Sequence, residues 1–222
     1  MNKIYAFTLA ETLITIGIIG IVAALTIPNL MHKYYEKQTV AKLKETYSIL
    51  SQAIKMSEEE FGSVANWEAK FDSDGANLIA ERLKPFLKIA NDCGLVDEKE
   101  KCIVKQVYKL KNNNDHDMDY NSNNGYYKMN LFNGSSIILR GKMSSNPENL
   151  IGIFIDTNGK TKPNKVGTDL FQFYYYEDLG LKPAGAPNTQ FDYNTTCIPQ
   201  TAQGFGCAYY VMNSGKMDYL WH

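Results

Sequence analysis

Few side chains in this 222-residue sequence are spaced as reacting or ligating groups usually are. Asp156, Asn158 and Asp169 could supply oxygen ligands to calcium, a hard cation that takes carboxylates and amide carbonyls. The EF-hand pattern does not fit them, because Gly159 falls fourth from Asp156 where that loop needs glycine at the sixth position. A tight turn closed by an Asx side chain accounts for the same residues more simply. Asp115, Asp117 and Asp119 alternate as calcium ligands do, but Tyr120 stands in place of the required glycine and no Glu closes the loop. The reading there is a solvated acidic loop. The three histidines, His32, His116 and His222, lie far apart in the chain, and there is no nucleophile elbow, metal-binding His pair or phosphate loop. No enzyme activity and no cofactor is therefore expected. The four cysteines, Cys93, Cys102, Cys197 and Cys207, suggest two disulfides formed in an oxidising compartment. Cys93 and Cys102 flank the charged stretch DEKEK and are expected to close a local loop, although four cysteines permit two other pairings.

The remaining group with chemical meaning is Glu11, and its meaning comes from the element around it. Residues Phe7 to Leu30 read FTLAETLITIGIIGIVAALTIPNL, 24 residues with one charge. That length approaches the roughly 20 residues that span a bilayer as a helix. A carboxylate inside such a run is expensive and marks a partner by default. The far end, TIPNLMHKYYEKQ, has no small-x-small cleavage site, which argues against a secretory signal removed there. Gly17 and Gly20 permit close helix approach, but they lack the four-residue spacing of the usual dimer motif and are read as packing.

Beyond Asn29 the helical signal continues. Val40, Leu43, Tyr47, Leu50, Ile54 and Phe61 form one stripe, with Lys42, Lys44, Glu45, Lys55 and Glu58 on the other face and Gly62 as the stop. A helical patch over Leu78 to Ile89 contains Pro85, which divides it. Residues 111–125, KNNNDHDMDYNSNNG, have almost no apolar content and are expected to form an exposed loop. Tyr126 to Phe132 and Ser135 to Arg140 flank Asn133-Gly134 and read as a hairpin; Ile151 to Ile155 is a third strand, and Phe171 to Tyr176 is a further short one. Antiparallel strands after a long helix predict an α+β head with the helix lying across the sheet. The head is long enough for one domain with a core. A formal net charge of -1 with no basic stripe gives no electrostatic support for nucleic-acid binding.

Lys3, Ala6, the segment Phe7-Thr8-Leu9-Ala10-Glu11, the long apolar run and Pro28 together resemble the amino-terminal signature of type IV pilins and type II secretion pseudopilins. The resemblance implies a pilin-like fold. It implies that residues 1–6 are a leader, cut between Ala6 and Phe7 by a prepilin peptidase that then methylates the new terminus at Phe7. Ala6 stands where the family usually has glycine. The resemblance further divides the chain into a transmembrane assembly helix over 7–30, its amphipathic continuation over 31–61 and a soluble head over 62–222. Pro28 is then the helix-kinking proline and Glu11 the assembly residue. In a filament Glu11 can pair with the positive terminus of Phe7 on a neighbour, which offsets the cost of desolvating either charge.

The stretch FIDTNGKTKPNKVGTDLFQF also resembles pseudopilin heads, some of which bind calcium in the loop after a strand. Cys197 and Cys207 resemble the carboxy-terminal disulfide loop of many pilins. The implied partners are prepilin peptidase, other pilin-like subunits and the inner-membrane assembly machinery. The implied location is the inner membrane, single-pass, with a periplasmic head. The first reading is a pseudopilin of a type II secretion-like system. The alternative is a type IV pilin serving adhesion, motility or DNA uptake, followed by a binding protein that uses the helix only as a tether.

Overall fold

The computed structural model describes residues 8–121, 125–143 and 151–221. Its first element is helix α1, Leu9–Phe61, 53 residues long. The chain divides into two units, the first ending at Gln38 and the second beginning at Thr39. In the first unit the large apolar side chains are exposed, Leu9, Ile14, Ile19 and Leu25 among them. In the second unit α1 becomes amphipathic and buries Thr39, Val40, Leu43, Thr46, Leu50, Ala53, Ile54 and Ser57. This is the expected stripe with a difference at its end. Phe61 is 39 % exposed, and Glu58, expected on the solvent face, accepts from Tyr175 Oη at 2.8 Å and from Val64 N at 3.1 Å. The helix stops at Gly62, which takes φ 79° and donates its N–H to Glu58 O at 3.0 Å. Positive φ costs glycine little, so it suits this cap.

Helix α2, Ser73–Leu83, is capped by Asp72, whose side chain accepts from Gly75 N. The chain beyond it tightens into a single turn over Lys84–Phe86 around Pro85, as the divided patch predicts. Six strands follow among the described residues: β1 Ile89–Gly94, β2 Tyr126–Leu131, β3 Ser136–Arg140, β4 Ile151–Asp156, β5 Leu170–Tyr176 and β6 Gly180–Pro183. They form one sheet in sequence order. Every neighbouring pair is antiparallel. The fold is therefore α+β, a long amino-terminal helix followed by a meander. In the β2–β3 hairpin only Gly134 of the Asn133-Gly134 pair takes a positive φ, and Gly134 N bonds back to Leu131 O at 3.0 Å. Strand β1 lies where sequence reading placed the end of a helical patch and a cysteine loop.

Alternation along the strands gives the sheet two buried faces. One, carrying Ile137, Ile153, Phe171 and Phe173, meets the amphipathic part of α1. Tyr47 packs on Phe173 with ring centroids 5.4 Å apart, and Thr46 Oγ1 bonds Ser135 Oγ at 2.9 Å. The other face, carrying Tyr126, Ile138, Phe154, Leu170, Tyr174 and Tyr176, is covered by loops that bring Tyr108, Tyr120, Phe191 and Phe205 onto it. Tyr120 is the hub, at 5.0 Å from Tyr126 and 5.3 Å from Phe154. The expectation of an exposed loop over 111–125 is therefore corrected: His116, Tyr120 and Asn121 are buried, although Asp115 and Asp117 remain exposed. Asn113, Asn114, Asp115 and Asp117 face outward while the rings of His116 and Tyr120 hold the segment to the cover of the sheet. Helices α3, Tyr193–Thr196, and α4, Cys207–Ser214, follow the sheet.

Candidate functional site

The residues singled out in the sequence occupy separate places. Lys3, the cleavage pair Ala6 and Phe7, and His222 lie outside the described residues. Glu11 sits in the first turn of α1. Its Oε2 accepts from Thr8 N at 2.9 Å and from Thr8 Oγ1 at 2.8 Å, and Thr8 Oγ1 in turn accepts from Glu11 N at 3.3 Å. This reciprocal pair is a capping box. The Thr-x-x-Glu spacing of Thr8 and Glu11 is the sequence signal for it. Within one chain, then, the Glu11 carboxylate closes its own helix start. Pro28 lies inside α1, which continues through it.

The cysteines pair locally as Cys93–Cys102 and Cys197–Cys207, and no described cysteine is free. Inside the first loop Asp97 is buried. Its carboxylate accepts from Lys101 N at 2.8 Å, Cys102 N at 2.6 Å and Ile103 N at 3.1 Å. Sequence reading gave Asp97 no separate role, since its position in a charged run offers no hint of burial. Cys93, Asp97 and Cys102 gather their ligand atoms within 4.8 Å of one another. A metal needs thiolate sulfur, however, and both sulfurs are committed to the bridge.

Asp156, at the end of β4, and Asp169, just before β5, are both fully buried. Asp156 Oδ2 accepts from Tyr108 Oη at 2.6 Å and Oδ1 from Asn158 N at 3.1 Å. Asp169 Oδ1 accepts from Lys165 N and Oδ2 from Asn164 N, each at 2.6 Å. All four carboxylate oxygens thus have donors from the fold itself, and the pair closes the loop between the two strands. Burial pushes the Asp156 carboxyl well above its ordinary range, and the Asp169 charge adds to this. Burial likewise pushes Asp169 up to about 6, against the opposing N–H donors of Lys165 and Asn164. The side-chain oxygens of Asn158 and Asn164 are buried without a hydrogen-bond partner. Those two oxygens and the carboxylates are the hard-oxygen set this loop could offer calcium. The acidic triplet differs: Asp115 pairs with Lys109 at 2.5 Å, Asp117 Oδ1 bonds His116 Nδ1 at 3.0 Å, and Asp119 Oδ1 accepts from Asn121 N at 2.8 Å. Each closes a local contact.

Fold and sites together define a class: an α+β head with two local disulfides, following a helix that by length and composition could cross a membrane. Within it, the chain belongs to a family of unknown function, DUF6613, whose model matches residues 29–194. No curated protein matches the chain, and no solved structure does.

Proposed function

We propose that this chain is a structural subunit of a pilus-like filament, a pseudopilin of a type II secretion-like system that assists protein export. The observation that carries the reading is the start of α1. A single carboxylate, Glu11, opens a helix whose apolar side chains are exposed throughout the membrane-length stretch. An exposed apolar helix needs lipid or neighbours around it. A carboxylate at its head needs a cation once water is removed. A neighbouring subunit's amino terminus would meet the second need and neighbouring helices the first. In that event Glu11 exchanges its contact with Thr8 for one between chains. The type IV pilin reading shares this helix, and the resemblance of the 154–173 segment to pseudopilin heads favours the first. Surface filaments that vanish on deletion would decide for the pilin.

The first test is the amino-terminal mass of the protein from its own cell, with and without prepilin peptidase. A start at methylated Phe7 that depends on the peptidase is expected, and an intact Met1 in both strains would overturn the filament reading in favour of a tethered domain. Glu11→Ala should leave cleavage intact and abolish incorporation into filaments. Full assembly by that variant would refute the assembly role of Glu11.

A further inference from the structure

We propose that the small cavity at Arg140 is a binding site for a short-chain monocarboxylate, an inference independent of the filament reading. The cavity has a volume of about 90 Å³ and is lined by Arg140, Gln172 and Tyr174 from the sheet, by His116, and by Phe191 and Phe205. One water needs about 10–15 Å³ of such space, so a ligand of several non-hydrogen atoms fits.

Arg140 is 2 % exposed, yet none of the ion pairs among the described residues includes it. Its Nη1 donates to Gly141 O at 2.8 Å. Its carbon lies 5.3 Å from the Tyr174 ring centroid and 6.0 Å from that of Phe154. Ring faces compensate a buried cation only in part. An anion completes the compensation, and a guanidinium fork matches the two oxygens of a carboxylate. No acidic side chain lines the cavity among the described residues.

The surroundings are built around this cation. Arg140, Gly152 and Tyr174 are register partners across β3, β4 and β5. A Cβ at Gly152 would come within 2.8 Å of Arg140 Cγ and Nε, so the glycine makes room for the guanidinium to lie along the sheet. Tyr174 Oη donates to Gln172 Oε1 at 2.8 Å, which leaves the amide NH₂ of Gln172 as its group for a ligand oxygen. The His116 ring nitrogens bond Asp117 Oδ1 and Tyr120 Oη, and burial holds its pKa down, so it stays neutral and adds no second cation. One cation selects a monoanion, and the rings of Phe191 and Phe205 suit a short alkyl tail.

The test uses the full chain in detergent, titrated with sodium propionate by calorimetry and thermal melting, with sodium chloride at matched ionic strength as control. Saturable propionate binding and a rise in Tm that chloride does not reproduce are expected. Arg140→Gln should weaken binding about tenfold or more, because it removes a charge-assisted bidentate pair. Gln172→Glu places a carboxylate in the same cavity as the guanidinium. It should melt higher than the natural chain without ligand and lose propionate binding, so the test does not depend on Arg140→Gln folding. Absence of saturable binding to the natural chain, an equal response to chloride, or undiminished binding in Gln172→Glu would each overturn the proposal.

Discussion

Asp156 and Asp169 reverse the usual relation between carboxylates and stability. A surface or ion-paired carboxylate has its pKa lowered by folding and loses stability in acid. Here the Asp169 pKa rises from 3.8 to about 6 because the group is buried, and Asp156 moves the same way. Between those values the folded chain holds a proton that the unfolded chain has released. The contribution of Asp169 is therefore present at acid pH and is lost as pH rises through about 6, and that of Asp156 changes in the same direction. Each proton so held changes stability by up to about 1.4 kcal/mol per pH unit. Asp156→Asn removes one of the two charges, and its amide can still face the Tyr108 hydroxyl. Urea unfolding between pH 5 and pH 7.5 is expected to show a smaller loss of stability with rising pH in Asp156→Asn than in the natural chain. Parallel slopes would mean that both carboxylates are already ionised in the folded protein.

At the scale of elements, the two disulfides are local staples. Cys93–Cys102 spans a separation of 9 residues and joins β1 to the loop after it, while Cys197–Cys207 spans 10 and joins the end of α3 to the start of α4. Closing loops of this size stabilises a domain by roughly 2–4 kcal/mol each. Reduction is expected to lower the unfolding free energy of the head by that amount per bridge, measured by denaturant titration with and without reductant. An unchanged midpoint would show that the folded head does not depend on them. Which elements could be read in advance follows from where their signal resides. The stripe on α1 was legible because Val40, Leu43, Leu50 and Ile54 repeat at helical spacing, and the β2–β3 hairpin because a turn pair separates two apolar runs. Strand β1, Ile-Ala-Asn-Asp-Cys-Gly, was not, since Asn and Asp are poor strand formers and its pairing with β2 is a tertiary fact. The segment around His116 and Tyr120 failed for the same reason: two of its ring partners, Phe154 and Phe205, lie far away in sequence. The cation at Arg140 carried no local signal at all, because a strand of alternating residues does not say which face a loop will cover.

For the whole molecule, the boundary between Gln38 and Thr39 separates an apolar helix from a domain with its own core. A chain beginning at Thr39 is expected to stay in solution without detergent and to keep both disulfides, whereas the full chain should partition into membranes or micelles. Aggregation of the shortened chain, seen by sedimentation, would place part of the folding determinant before Thr39. The order of the sheet bears on how the chain is made. Each strand pairs with the one before it in sequence, so a polypeptide that emerges amino terminus first meets every partner on arrival and leaves no strand waiting for a distant one. What arrives last is part of the cover: Phe191 and Phe205 pack onto an aromatic face that already carries Tyr108 and Tyr120. A chain that stops before Phe191 thus keeps all six described strands but leaves part of that aromatic face uncovered.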